Sequence, residues 1–182
     1  MRTLICILIL SITAFAQEAP KPNTDNPVTS FNKTAFNHVQ GWILSSAEKM
    51  PEENFNFKPA DTVRSFGQII GHIADAQRMF CSGVLGEQVA PRNVEKTKTS
   101  KADLIAALNE SSTYCDKAYS GMTDASGTQL TKFHGRDMAK FNVLTANVMH
   151  MVEHYGNLVT YLRIKNIVPP SSEQPPAPPE KK

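Results

Sequence analysis

The amino-acid sequence predicts an all-α fold, a four-helix bundle, and three observations predict it. Four long segments carry apolar residues at three- and four-residue spacing, the signature of a helix with one buried stripe. No segment shows convincing strand alternation. Of 182 residues, 41% are hydrophobic and 20% charged, enough apolar material for one real core and too little charge for wholesale disorder.

Residues 1–16 stand apart from the fold. Arg2 gives a positive start, Leu4 through Ile12 form a nearly unbroken apolar run, and Ala14-Phe15-Ala16 supplies an A-x-A cleavage signal. This is the three-part grammar of a secretory signal peptide, and the run is too short for a permanent bilayer anchor. Cys6 lies inside the run rather than just after it, which argues against a lipidated cysteine at the cleavage point. The mature chain is therefore expected to begin near Gln17, exported to the periplasm or the medium, with no membrane anchor left.

Residues 17–27, rich in Pro, Asn and Lys, read as a flexible lead-in to a bundle over 28–168. The first helix is expected from about Pro27 to Met50, with Phe36, Val39, Ile43, Ala47 and Met50 in its stripe. The second opens near Asp61, a good N-cap, and carries Phe66, Ile69, Ile70, Ile73, Phe80 and Val84, with Gly83 and Gly86 as stops. A polar connection containing Pro91 leads to the third, whose Ser100 and Asp103 form a variant capping box ahead of Leu104, Leu108, Ser111, Cys115, Ala118 and Met122. The fourth is the clearest: Phe141, Leu144, Val148, Met151, Tyr155, Leu158 and Leu162 alternate in threes and fours. Such stripes must bury against each other, and an antiparallel bundle is the economical arrangement. From Pro169 to Lys182 a proline-dense tail is expected to stay extended, solvated and disordered.

A net charge of only +2, with no basic run, gives no expectation of nucleic-acid binding. With Cys6 removed, Cys81 and Cys115 remain. An oxidising compartment permits a disulfide between them, although two separate buried thiols are the plainer reading, since free cysteine is itself a good core residue.

The chemistry lies with the histidines. His150 and His154 stand four apart, one above the other on a helix face. With Met151 at the stripe centre, the helical step puts His154 roughly 60° and His150 roughly 100° to the same side, at the edge of the core. Two imidazoles at this spacing chelate one divalent metal; the plainer alternative is two half-exposed polar residues beside a seam. His72 sits among Ile69, Ile70 and Ile73 on the border of its own stripe, so its ring nitrogens need a partner: a metal, Asn147 or a backbone carbonyl. A third histidine would complete the three-ligand pattern that leaves a position for water or substrate. Asp75, one turn after His72, and Glu153, beside His154, are acids able to orient an imidazole or act as a base, with Glu153 better read as solvated. Trp42 reads as core packing, His38 could reach the level of His72, and His134, in a Gly-containing loop, reads as a surface residue.

Met50-Pro51-Glu52-Glu53, Val63-Arg64-Ser65-Phe66-Gly67, Gly71-His72-Ile73-Ala74-Asp75-Ala76, Glu153-His154-Tyr155-Gly156, Tyr161-Leu162-Arg163 and Val168-Pro169-Pro170-Ser171 occur in an order that resembles the DinB superfamily over nearly the whole helical region. The resemblance implies a four-helix bundle with two long crossing connections. It also implies a divalent metal on one histidine of the second helix and two, four apart, on the fourth, which map onto His72, His150 and His154. Characterised relatives include transferases and isomerases that use low-molecular-weight thiols, while many members have no known activity. If the second and third helices run parallel, as long connections would allow, Cys81 and Cys115 fall near their C-terminal ends, within disulfide reach.

The expectation is thus an exported metal-binding protein, zinc or nickel being the first choices for three imidazoles. The first functional reading is a metal-dependent transferase or hydrolase acting on a small molecule. The alternatives are a non-catalytic protein of the envelope that binds metal or a small ligand, and a bundle that keeps its histidines only as core polar groups. No nucleotide loop, nucleophile elbow or paired-carboxylate motif names a substrate; bundles of this size often pair, which leaves a homodimer open.

Overall fold

A computed structural model describes residues 25–173; the expected signal peptide and most of the lead-in and tail fall outside them. In chain order the elements are α1 (Pro27–Lys49), α2 (Phe66–Leu85), α3 (Val94–Thr97), α4 (Lys101–Ser120), α5 (Asp124–Gly127), a hairpin of β1 (Leu130–Phe133) and β2 (Arg136–Ala139), and α6 (Lys140–Ile164). The four long helices match the four expected segments.

Their directions follow from residue pairs. Lys33 meets Ser120 while Lys101 reaches the Glu48 carbonyl, so α1 and α4 are antiparallel. Gln77 meets Ser111 and Cys81 meets Cys115, so α2 and α4 run parallel. Tyr161 reaches the Arg64 carbonyl and His150 meets His72, which sets α6 antiparallel to α2. Thr145 bonds Asn32 and Tyr155 stacks on Trp42, which sets α6 parallel to α1. Each of α1 and α2 therefore packs on both α4 and α6. Two of the four contacts are parallel, a departure from a simple antiparallel bundle that the long connections before α4 and α6 make feasible.

The core is the expected one, with Phe36, Ile43, Phe66, Ile70, Ile73, Leu108, Leu144, Met151 and Leu158 among its buried side chains. At its centre Gln77 is fully buried and donates to Gln40 across the bundle (2.6 Å) while accepting from Ser111 (2.9 Å). A buried amide satisfied on both sides fixes the relative height of three helices, because a slip of one turn would orphan it. Cys81 and Cys115 are disulfide-bonded, with Cα atoms 5.2 Å apart, rather than two separate thiols. The parallel run of α2 and α4 brings them level.

Several expectations are corrected. Helix α2 begins at Phe66, not Asp61, because Ser65 and Gln68 form a reciprocal capping box and the Phe66 and Gly67 N–H groups donate to the Phe57 and Phe55 carbonyls. Gly83 lies inside α2; only Gly86, at φ 72°, ends it. A Cβ on Gly83 would stand 3.0 Å from Phe133, so this glycine admits the hairpin. The hairpin itself escaped the pattern reading, since its strands are four residues each, half of those residues exposed and none buried. Its two-residue turn, His134-Gly135, has positive φ at both positions (48° and 75°), the geometry of a tight hairpin turn. The tail does not leave the bundle at Pro169: that residue is buried, Pro170–Ser172 form a 3-10 turn, the Ser171 N–H donates to Tyr155 (2.9 Å), and Glu173 pairs with Lys49.

Candidate metal centre

Helices α2 and α6, antiparallel and in contact, bring His72, His150 and His154 together. The Nε2 of His150 lies 3.1 Å from the Nε2 of His72 and 3.0 Å from that of His154. The ligating atoms of all three fall within 4.8 Å of one another. Nitrogens on a shared tetrahedral zinc ion at its usual bond length stand about 3.3 Å apart, so the set closes on an ion with little movement.

The donor chemistry fits a cation. His72 presents its Nδ1 to a Glu95 carboxylate oxygen at 3.0 Å, which places the proton on Nδ1 and leaves the Nε2 lone pair facing the other rings. One N–H cannot serve both short contacts of His150, whereas a divalent ion satisfies three lone pairs at once. Burial, and then the proximity of His154 and His72, push the His150 pKa down from 6.5 to about 4. Burial likewise lowers that of His154. Both rings are neutral near pH 7, the form that ligates. Among the described residues the Nδ1 of His150 is buried without a hydrogen-bond partner, so packing holds this ring, with Phe80 at 5.8 Å between centroids. His154 Nδ1 lies 3.3 Å from the Asn157 amide, which can turn its oxygen to the ring N–H when Nε2 ligates.

Glu95 is the residue that sequence reasoning missed. It sits in α3, within the connection read only as polar, and joins His72 to Arg64, whose Nε donates at 2.8 Å. Burial works against its ionisation, but Arg64 and His72 outweigh this and hold its pKa below the usual carboxylate value. One signal existed: Val94, a single aliphatic residue in a polar stretch, is buried and docks α3 on the bundle.

Among the described residues Asp75 makes no hydrogen bond to a histidine. Its two oxygens accept from the Val94 and Glu95 N–H groups, both at 3.0 Å, capping α3 in place of Asn93, whose side chain makes no cap bond. It therefore positions the segment that positions His72. Gly71 completes the arrangement: the α3 backbone lies directly over it. Asn147, offered as an alternative partner for His72, donates instead to Tyr119 (3.1 Å). Glu153, His38 and His134 are exposed, and Trp42 is partly buried between His38 and Tyr155.

Two clefts meet at the centre. One, of about 380 Å³, has His72 and His150 at its edge and Met79, Phe80, Val89 and Pro91 in its walls. The other, of about 690 Å³, is reached past His154 and Glu95 and is lined by polar groups including Gln68, Asn157 and Thr160.

A bundle of this topology, with one helix supplying a single histidine and an antiparallel neighbour supplying two at a four-residue spacing, is a scaffold built around a site able to hold a metal. The model of the DinB superfamily matches residues 35–158, and the chain belongs to that superfamily. It is 27% identical over 123 residues to the uncharacterized protein YjoA of Bacillus subtilis (strain 168), a match covering 64% of this chain and 77% of that protein. A solved DinB-like protein from Bacillus cereus ATCC 10987 shares the fold, with a TM-score of 0.68 at 18% identity over 76% of this chain and 93% of that one. The expected all-α, DinB-like bundle is the fold observed.

Proposed function

We propose that this chain is an exported metal-dependent enzyme, a transferase or hydrolase acting on a small molecule, with zinc or nickel on His72, His150 and His154. The observation that carries the reading is the convergence of three Nε2 atoms beside a 380 Å³ cleft, with no carboxylate or thiol grouped with them among the described residues. Three protein ligands with a neighbouring cleft is the pattern of catalytic rather than structural sites. When bound, the ion supplies Lewis-acid polarisation of a substrate group. The protein's own part is to keep the imidazoles neutral, to fix His72 through Glu95, and to shield one side of the site with apolar walls.

The test begins with metal content. Mature protein recovered from the periplasm or medium should begin near Gln17 and carry about one equivalent of zinc or nickel, and His150→Ala should carry far less. Metal-loaded and chelator-stripped protein would then be compared on panels of small-molecule esters, amides and thiol-transfer substrates. Turnover that needs the metal supports the enzyme reading. Stoichiometric metal with no turnover in either form would move the assignment to a binding protein, and metal content indifferent to His150→Ala would remove the site.

A further inference from the structure

The 380 Å³ cleft is apolar except at defined points, and the charged points can be accounted for one by one. Asp75 lines it, but both carboxylate oxygens are taken by the backbone of Val94 and Glu95. Arg92 lines it, and is paired to Glu110 at 2.6 Å. Arg78 is different. Among the described residues it has no carboxylate within ion-pair distance; its guanidinium lies over the Tyr114 ring, 4.8 Å from the centroid, and its Nε is buried without a hydrogen-bond partner. The ring face offers the cation some stabilisation, but it leaves the Nε–H without a partner.

Position along α2 gives the cleft a length scale. Arg78 is six residues beyond His72, about 9 Å along the helix axis. Met79, seven residues beyond, returns to the His72 face, and between them Asp75, with its oxygens already taken, and Ala76 line the cleft. Phe80 from the same helix, and Val89 and Pro91 from the following loop, line the cleft with it. A half-buried guanidinium with no ion-pair partner among the described residues, beside apolar walls, is free to take an anion, and its planar fork matches a carboxylate in bidentate geometry.

Resting on the metal-dependent reading of the three histidines, we infer that the cleft takes an amphipathic organic acid: reacting group at His72 and His150, apolar body along Met79, Phe80 and Pro91, carboxylate on Arg78. This makes Arg78 a specificity-determining residue, six positions along α2 from His72, rather than part of the chemistry.

The probe pair is suberic monohydroxamate and its isosteric terminal amide, identical at the metal-binding end and different only in the distal charge. Both are titrated calorimetrically into full-length protein, chelator-stripped and cobalt-loaded. The expected result is that the acid binds roughly tenfold or more tightly than the amide in both forms. Arg78→Gln should bring the ratio close to one, and Arg78→Lys should keep part of it. Equal affinities for acid and amide in the wild-type protein, in both forms, overturn the inference; because that comparison needs no variant, a variant that fails to fold leaves it intact. The metal reading fails separately, when cobalt produces no visible ligand-field spectrum or when loading leaves both affinities unchanged.

Discussion

A Cβ placed on Gly71 would stand 2.7 Å from the Glu95 Cα and 2.8 Å from its amide nitrogen. The glycine lets a loop backbone settle directly on α2, and that close approach is what delivers the Glu95 carboxylate to His72. Gly71→Ala must push α3 outward, since neither backbone can yield cheaply. Metal affinity should fall roughly 10- to 100-fold as His72 loses its orienting partner. Overpacking of this kind also costs about 1–3 kcal/mol of stability. Competitive chelator titration and urea unfolding measure the two effects; an alanine variant with unchanged affinity would contradict the role given to Glu95.

Glu95→Gln separates charge from position. The amide is the same size and can still accept from the His72 Nδ1–H, but it cannot match a carboxylate that raises ligand basicity. A loss near the low end of the roughly 10- to 100-fold range is expected, with little change in fold. Asp75→Asn should weaken binding too, though through the α3 backbone, so combining it with Glu95→Gln should cost less than the sum of the two.

Acid should act on the site in a definite direction. His150 has its pKa lowered from 6.5 to about 4, so between these values the unfolded chain takes up the proton first. The stability of metal-free protein is therefore full above pH 6.5 and declines as pH falls toward 4, by up to about 1.4 kcal/mol per pH unit for this one proton. His154, also lowered, adds to the same trend. Metal affinity should fall over the same window, because protons compete for the lone pairs. Thermal melts of the stripped protein at stepped pH, compared with His150→Gln, read this out; the variant should show a visibly flatter dependence.

The Cys81–Cys115 bond closes a loop with a sequence separation of 34 and lies in the core between α2 and α4. Chain-entropy arguments give such a loop about 3–4 kcal/mol. Cys81→Ala with Cys115→Ala should lower the urea midpoint accordingly while leaving metal stoichiometry unchanged, since neither sulfur reaches the histidines. A thiol assay on denatured, unreduced mature protein should count no free thiols.

How much of this was legible beforehand depended on the range of the signal. Helical stripes are local, so Val39, Ile43, Leu108, Met151 and Leu158 declared themselves, and so did the single face shared by His150 and His154. The junction of His72 with that pair is a tertiary fact that spacing does not encode, and the family likeness supplied it. Glu95 was invisible because its role depends on a loop docking over Gly71, a contact between residues 24 apart with no periodicity. The hairpin was missed for a related reason: with strands this short and exposed, alternation has no buried face to report. Asp61 misled because it is an ordinary cap residue, and Ser65 with Gln68 made the better box, its cap four residues beyond the one the pattern first suggested.

The β-hairpin leans on the face that carries the three histidines without adding a residue to their cluster. Phe133 stacks on Phe80 at 5.1 Å, Thr131 holds the Gly83 carbonyl at 2.7 Å, and Phe80 in turn flanks His150 and walls the apolar cleft. The ligand-bearing helices and the part that backs the pocket wall are thus separate inheritances. Lengthening, trimming or exchanging a ten-residue surface segment would reshape what the cleft admits while the three imidazoles stay where they are. Such a division lets one scaffold change what its cleft admits without disturbing the histidine cluster, and the hairpin is where that diversification would be written.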